Sequence, residues 1–283
     1  LLLKKIFGLP WVADFRDLWT QHPFSTSPQN LRMKIEERME YKVLKTADRI
    51  VVATDHIGES FLLKYPAIAK DKFKTITNGY DLDDFRALQP KVFSKFTITY
   101  VGSFYSIHTP KYFLQALRML IDEKPTVGNN MQVIFIGRFD PRNYQLLDDL
   151  ELQNVVTVYN YVFHQEAVQC MFGSDILLLI LPPNAVGVYT GKIFEYIASK
   201  IPILALVPED GCAAKLIKET KSGFKVNPTD VCKIKDCLHE LYLKYEKKQL
   251  KISPDFSNFG RFERKRLTGE LVSIFTECSK ICS

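Results

Sequence analysis

No stretch of this 283-residue chain approaches the roughly 18 to 20 uninterrupted apolar residues of a membrane span. The opening Leu1-Leu2-Leu3-Lys4-Lys5 has the wrong charge order and too short an apolar run for a signal peptide. The six cysteines, Cys170, Cys212, Cys232, Cys237, Cys278 and Cys282, include no C-x-x-C pair, and no histidine stands at zinc-ligand spacing. They read as reduced, scattered cytosolic thiols. Cys278 and Cys282 lie one helical turn apart, but at a chain end that is poor ground for a metal site. No basic motif interleaved with aromatics appears, so nucleic acid is not an expected partner. A soluble, cytoplasmic protein with no metal and no other cofactor is the expectation.

With 46% hydrophobic residues, the chain can bury one large core or two of about 100 to 150 residues each, and we expect two domains. The net charge of +6 is spread along the sequence, with basic clusters at residues 244–251 and 261–266. Such clusters are most often solvated helix faces. The sharper alternative is attraction to a phosphorylated substrate or to anionic lipid headgroups, which would place the protein peripherally at the inner face of the cytoplasmic membrane.

Strand-like runs rich in β-branched residues alternate with helical patterns throughout, the signature of an α/β fold on parallel sheets. Strands are predicted at 11–15, 49–53, 73–76, 97–101, 132–136, 155–158, 175–181, 203–207 and 223–226. Helices are predicted between them at 28–45, 56–65, 110–123, 141–150, 164–172, 191–199, 211–220 and 229–248. The turn signal Asn78-Gly79, the acidic Asp81 to Phe85 and Pro90 mark a boundary, giving a first domain over 1–90 and a second over 91–255. Residues 256–283 form a helical tail expected to cross back toward the first domain. Three strands cannot make a covered parallel sheet of the usual five or six. We therefore expect the first domain to be incomplete, truncated at its N-terminal side or completed by another chain.

The segment from Thr190 through Gly191, Lys192 and Glu195 to Ser199 lies between two apolar runs and reads as a loop and helix joining parallel strands. A helix start offers unpaired N–H groups and a partial positive charge, Gly191 permits close backbone approach, and Lys192 adds a full charge, so phosphate is the expected ligand. Glu195, one turn further on, would reach hydroxyls on whatever carries that phosphate.

Five blocks carry a resemblance: Pro10 to Trp19, Val51-Val52-Ala53-Thr54, Ile76 to Phe85, Tyr100-Val101-Gly102-Ser103, and Lys192-Ile193-Phe194-Glu195-Tyr196-Ile197-Ala198. In this order the chain resembles the family 4 (group 1) glycosyltransferases from about Leu9 to Phe224. The resemblance implies two Rossmann-like domains facing a cleft (GT-B), a nucleotide-sugar donor held on the second, no metal, and retention at the anomeric carbon. Gly191 and Lys192 match the family's phosphate-facing helix start, and Glu195 matches the second acid of its paired-glutamate motif, the one that holds the donor ribose. Gly187 stands where the first acid is often found, so the Asn184 to Thr190 loop, with Thr190 as a donor, is expected to take over. Gly102 would let the backbone approach the donor. Ser103 and His108 occupy the places of an arginine and a lysine that face the diphosphate, and a histidine there would act as a cation only while protonated. Phe163 leads into the helix at which relatives hold the nucleobase.

Asp14, Arg16 and Asp17 lie at the cleft-facing end of the first strand, where relatives often carry His-Asp. Arg16 suits anion binding or acceptor positioning, and Asp17 would orient Arg16 or an acceptor hydroxyl; a structural Arg-Asp pair fixing the loop is the plainer alternative. Thr54 or Asp55 reads as a helix cap before His56. The expected function is transfer of a sugar from a nucleotide donor to a sugar, lipid-linked or other hydroxyl acceptor in building a cell-surface polysaccharide, lipopolysaccharide or glycolipid. A nucleotide-sugar epimerase of the same fold and a non-catalytic nucleotide-binding or assembly protein are the alternatives.

Overall fold

The computed structural model describes residues 2–21, 31–86, 88–105, 108–252, 254, 255, 257 and 259–281. Cys282 and His22 lie outside them. The chain divides into two compact units, one formed by Leu1–Gly79, Gly187–Tyr189 and Arg261–Ser283, the other by Tyr80–Val186 and Thr190–Gly260.

The first unit contains α1 (Leu2–Phe7), β1 (Val12–Phe15), α2 (Leu31–Thr46), β2 (Arg49–Val52), α3 (Asp55–Lys64) and β3 (Phe73–Thr75). Its sheet has the order β1-β2-β3, parallel throughout, with Ile50 opposite Ala13 and Phe73. Alternation along β2 decides what covers each face. Ile50 and Val52 join Phe15, Leu44 and Phe61 in a cluster built with α2 and α3. Val51 points the other way and packs with Ile76, Leu267, Ile274 and Cys278 of the C-terminal helix. Cys278 is thus a buried core residue. Thr54 caps α3 by accepting from the Ile57 N–H, and Asp55 instead accepts from Thr75 Oγ1. Glu40, fully buried on α2, accepts from Thr20 N (2.9 Å), Thr20 Oγ1 (2.7 Å) and Tyr65 Oη (2.8 Å), tying down the segment after β1.

The second unit runs β4 (Phe96–Val101), α4 (Lys111–Glu123), α5 (Pro125–Asn130), β5 (Met131–Ile136), α6 (Pro141–Asp149), β6 (Val156–Tyr159), α7 (His164–Gly173), β7 (Ile176–Ile180), α8 (Gly191–Ser199), β8 (Ile203–Leu206), α9 (Cys212–Thr220), β9 (Gly223–Val226) and α10 (Val231–Glu246). All six strands are parallel in the order β6-β5-β4-β7-β8-β9. A strand buried on both faces must be apolar along its whole length, and β7 reads Ile-Leu-Leu-Leu-Ile with every residue buried. On α4, Phe113, Leu114, Leu117 and Leu120 recur at helical spacing and bury one stripe against the core that also takes Leu238 and Leu241 of α10. Both α8 and α9 end on lysines in the left-handed region, Lys200 (φ 63°) and Lys221 (φ 50°). The sequence leaves residues 124–130 unassigned, yet they form α5, with Pro125 in its first turn and Val127 buried. The last helix, α11 (Arg264–Ile281), belongs to the first unit.

Among the described residues, no helix is long and apolar enough to cross a membrane.

Candidate active site

Neighbouring connections run outward in opposite directions from β4 and β7, because β5 and β6 lie to one side and β8 and β9 to the other. In open α/β sheets such a reversal leaves a crevice beyond the carboxyl ends of the two strands, the usual ligand site. Gly102 follows β4 directly, and the β7–α8 loop follows Ile180.

Gly102 has φ 147°, and a Cβ there would lie 2.2 Å from Lys192 Nζ. No other residue type fits both the backbone and the lysine. Gly137, just past β5, has φ 127°, and its Cβ would stand 2.3 Å from the Gly102 carbonyl oxygen. Gly137 was not singled out in the sequence, since both its backbone conformation and the close approach of a neighbouring strand end arise only in the fold.

Lys192, in the first turn of α8, donates to Tyr100 Oη at 2.7 Å, with Nζ 3.9 Å from the centroid of the same ring. Tyr100 is fully buried, and burial raises its phenol well above the usual value, so it serves as a neutral acceptor. Burial also pushes the Lys192 ammonium down to about 7, with the Glu195 charge acting in the opposite direction. A ring face and a phenol oxygen are partial compensation for a desolvated cation. An anion would complete it.

Tyr196, one turn further along α8, accepts from the Val101 N–H at 2.9 Å and fixes the helix on β4. Thr190 is the N-cap in extended conformation, but its side chain makes no capping bond and its buried Oγ1 has no partner within the protein. The backbone donors of the first turn are therefore not claimed by a side-chain cap. A Cβ placed on Gly191 would meet nothing within 4 Å. Space lies open at this helix start.

His108 lies between the ends of β4 and β7. Its Nδ1 lies 3.1 Å from the Ser103 carbonyl oxygen and its Nε2 2.8 Å from that of Ile180, so the ring braces the ends of β4 and β7. Burial, and secondarily the Lys192 charge, lower its pKa against the pull of the two carbonyls. A ring engaged in this way holds the crevice in shape. Ser103 contributes its carbonyl to the same brace.

Glu195 comes together with Asp84 and His164, the ligand-capable atoms of the three lying within 4.8 Å of one another. Neither Asp84 nor His164 was singled out in the sequence, since they lie far from Glu195 along the chain. Phe163 is the N-cap of α7 and is 88% exposed, with Tyr161 beside it 79% exposed.

The remaining residues belong to the first unit. Arg16 Nε donates to Asp14 Oδ1 (2.8 Å) and its NH2 group to the Ile76 carbonyl (2.8 Å). The carboxylate that orients Arg16 is thus Asp14 and not Asp17, whose side chain is exposed. At Gly187, a Cβ would stand 1.9 Å from His56 Cδ2, and the Gly187 carbonyl accepts from Thr54 Oγ1 at 2.9 Å. His56, read only as part of a helix start, fills the place where the family often carries an acid. Nothing in the sequence pairs these two positions.

No curated protein matches the chain in sequence. Among solved structures, sucrose-phosphate synthase from Thermosynechococcus elongatus matches with a TM-score of 0.70 and 16% identity, over 99% of this chain and 70% of that one. The HepE protein of Anabaena, in complex with UDP and glucose, gives 0.74 and 15% over 98% and 74%. WaaG, a glycosyltransferase involved in lipopolysaccharide biosynthesis, gives 0.67 and 15% over 100% and 80%. These likenesses show the fold, an α/β architecture of Rossmann-like parallel sheets shared with glycosyltransferases of the GT-B class. In sequence, residues 95–244 match the family described as Glycosyl transferases group 1. That match takes in more than half of the chain, which therefore belongs to the group 1 glycosyl transferases.

Proposed function

We propose that the chain is a retaining glycosyltransferase that moves a sugar from a nucleotide-sugar donor to a hydroxyl acceptor, in making a cell-surface polysaccharide, lipopolysaccharide or glycolipid. Lys192 is the observation that carries this reading. Its ammonium is desolvated at an uncapped helix start and lies on a phenol, a setting that a diphosphate would complete. Residues 91–255 hold the donor, and residues 1–90 serve the acceptor. HepE is solved with UDP-glucose, which makes a UDP-sugar the first donor to test.

In the proposed reaction the bond from the anomeric carbon to the diphosphate breaks as the acceptor oxygen bonds to that carbon from the same face. The departing phosphate oxygen takes the acceptor proton. Lys192 and the α8 start, with Thr190 and Gly191, stabilise the charge that grows on the diphosphate; Gly102 lets the backbone approach it, and Ser103 and His108 keep the strand ends in register. Glu195 accepts from the ribose, and Phe163 flanks the base. Arg16, held by Asp14, and Asp17 serve the acceptor. Peripheral contact with an anionic membrane through the clusters at 244–251 and 261–266 is part of the same proposal.

Calorimetry with UDP, GDP and ADP, followed by NMR of the product's anomeric configuration, tests the reading. One nucleotide should bind and the donor configuration should be kept. Inversion, or a covalent sugar adduct on any side chain, would sink the front-face route. A second reading, donor binding without transfer, is favoured by the closed position at Gly187. Tight nucleotide binding with no turnover on any acceptor would select it.

A further inference from the structure

In the first unit, α2 sorts its charges by face. Successive helical residues turn by about 100°, so Leu31, Lys34, Ile35, Arg38, Met39 and Lys42 fall on one side of it. All six are exposed, the three apolar side chains at 75%, 48% and 51%. The acids of the helix are engaged elsewhere: Glu36 with Arg32 (2.8 Å), Glu37 with Lys64 (3.0 Å), and buried Glu40 with Thr20, Lys64 and Tyr65. Among the described residues, Lys34, Arg38 and Lys42 are in no ion pair. The outward face is thus an apolar stripe set among cations without counter-charges. The short α1 repeats the pattern. It is tied to the turn after α2 by the ion pair of Lys4 with Asp48, contains no acid, and exposes Leu2, Leu3, Ile6 and Phe7 along with Lys5. The C-terminal helix α11 differs, because it exposes Val272 and Phe275 but sets the exposed acids Glu270 and Glu277 among them.

We propose that α2 is an interfacial helix that docks the first unit on an anionic lipid surface. Leu31, Ile35 and Met39 enter the boundary of the acyl chains, and Lys34, Arg38 and Lys42 lie on the headgroup phosphates. Long cationic side chains suit this role, since their stems lie along the apolar boundary while their heads stay with the phosphates. A protein partner would instead have to set acids at fixed positions opposite each cation, whereas a lipid surface supplies anions wherever the cations fall. The face is separate from the basic clusters at 244–251 and 261–266. Docking itself does not rest on the transferase reading; its consequence does, because a first unit that serves the acceptor would then favour lipid-linked ones.

The test is co-sedimentation of the protein with vesicles of phosphatidylcholine, alone or mixed with phosphatidylglycerol. Wild type should bind the mixed vesicles and not the neutral ones, and more weakly as salt is raised. Each basic residue near such a surface contributes a factor of about five, so Arg38→Gln with Lys42→Gln should weaken binding about 25-fold. Ile35→Ser with Met39→Ser leaves the charge unchanged and should still weaken it about tenfold or more. All four positions are exposed, so urea midpoints and UDP affinity should not move. Ile35→Trp should add a blue-shifted emission on mixed vesicles that wild type lacks. No vesicle binding by wild type, or full binding in both double variants, overturns the proposal. So does a loss confined to Lys247→Gln with Lys248→Gln, which would move the contact to the second unit. Weakening by the charge variant alone would mean attraction without insertion and overturn the interfacial placement. Self-association of wild type that Ile35→Ser with Met39→Ser abolishes, without vesicle binding, would assign the face to a second copy of the chain.

Discussion

Lys64 in the first unit and Lys192 in the second are both partly buried ammonium groups, and their surroundings answer that burial in opposite ways. Lys64 Nζ lies 3.0 Å from Glu37, 3.3 Å from Glu40 and 2.6 Å from Thr20 Oγ1. Burial works against its charge, but Glu37, Tyr65 and Glu40 outweigh it, and its pKa rises. Lys192 rests on one phenol, burial prevails, and its pKa falls to about 7. A cation that the fold needs is given its counter-charges by the fold. One left short of them at the carboxyl edge of a sheet awaits a charge from outside.

Replacing each lysine should separate the two cases most sharply. Lys192→Met keeps the stem and removes the charge. It should lower kcat/KM by about 10² to 10³, the usual loss when one preorganised group for transition-state charge is deleted. Its urea midpoint should hold or rise, because a disfavoured buried charge is gone. Lys64→Met should do the reverse, leaving Glu40 fully buried without its cation at a cost of about 3 kcal/mol, with UDP affinity unchanged. Equal losses of stability in the two variants, or unaltered nucleotide binding in Lys192→Met, would collapse the distinction.

pH sharpens the same contrast. A bound diphosphate raises the pKa of Lys192, so binding takes up a proton wherever the free enzyme's Lys192 has lost one. Affinity should be greatest below pH 7 and fall by up to about tenfold per unit above it, until the pKa of the complex is passed. Lys192→Met should flatten that slope. In the unliganded protein the signs also differ. Lys192, lowered from 10.5, makes stability increase as pH rises between about 7 and the unfolded value. Lys64, raised above 10.5, contributes stability that is complete below the unfolded value and is lost as pH rises through its folded one. Denaturation midpoints of wild type and the two variants, from about pH 6 to above pH 11, measure both.

Elements were easier to read than contacts. Every predicted strand and helix has a counterpart among the described residues, residues 28–30 of the first predicted helix lying outside them, because strands buried on both faces, such as β7, spell out their burial in continuous apolar runs. The helix α5, left unassigned in the sequence, is six residues long and contains Gly128, so it has too few periodic positions to show. At the site, the α8 start was legible because a glycine and a lysine at a helix N-terminus carry their chemistry locally. Lys192's phenol partner was not, since Tyr100 looks like any aromatic strand residue until the helix crosses it. The partners of His108 were hidden for a related reason. Its sequence position suggested a phosphate contact and could not show the two carbonyls, 5 and 72 residues away, that hold the ring. Arg16 likewise takes the carboxylate two residues before it, a choice set by strand alternation and the Ile76 carbonyl.

Among the glycines, Gly102→Ala should have the larger effect. Its φ of 147° strains any side chain, and the added carbon would drive Lys192 Nζ off the Tyr100 ring. We expect a loss of about 1 to 3 kcal/mol in stability together with weaker nucleotide binding, by urea titration and calorimetry.

Gly191→Ala should be the mildest change and the most telling about the helix start. An added methyl meets nothing within 4 Å, and alanine is favoured over glycine in a helix by up to about 1 kcal/mol, so stability should hold or rise slightly. If phosphate oxygens pack against this backbone, the same methyl occupies their space, and UDP affinity should drop severalfold while affinity for uridine is unchanged. Unaltered UDP affinity would mean that the open space at Gly191 is only solvent, and that Lys192 meets its anion from the Tyr100 side alone.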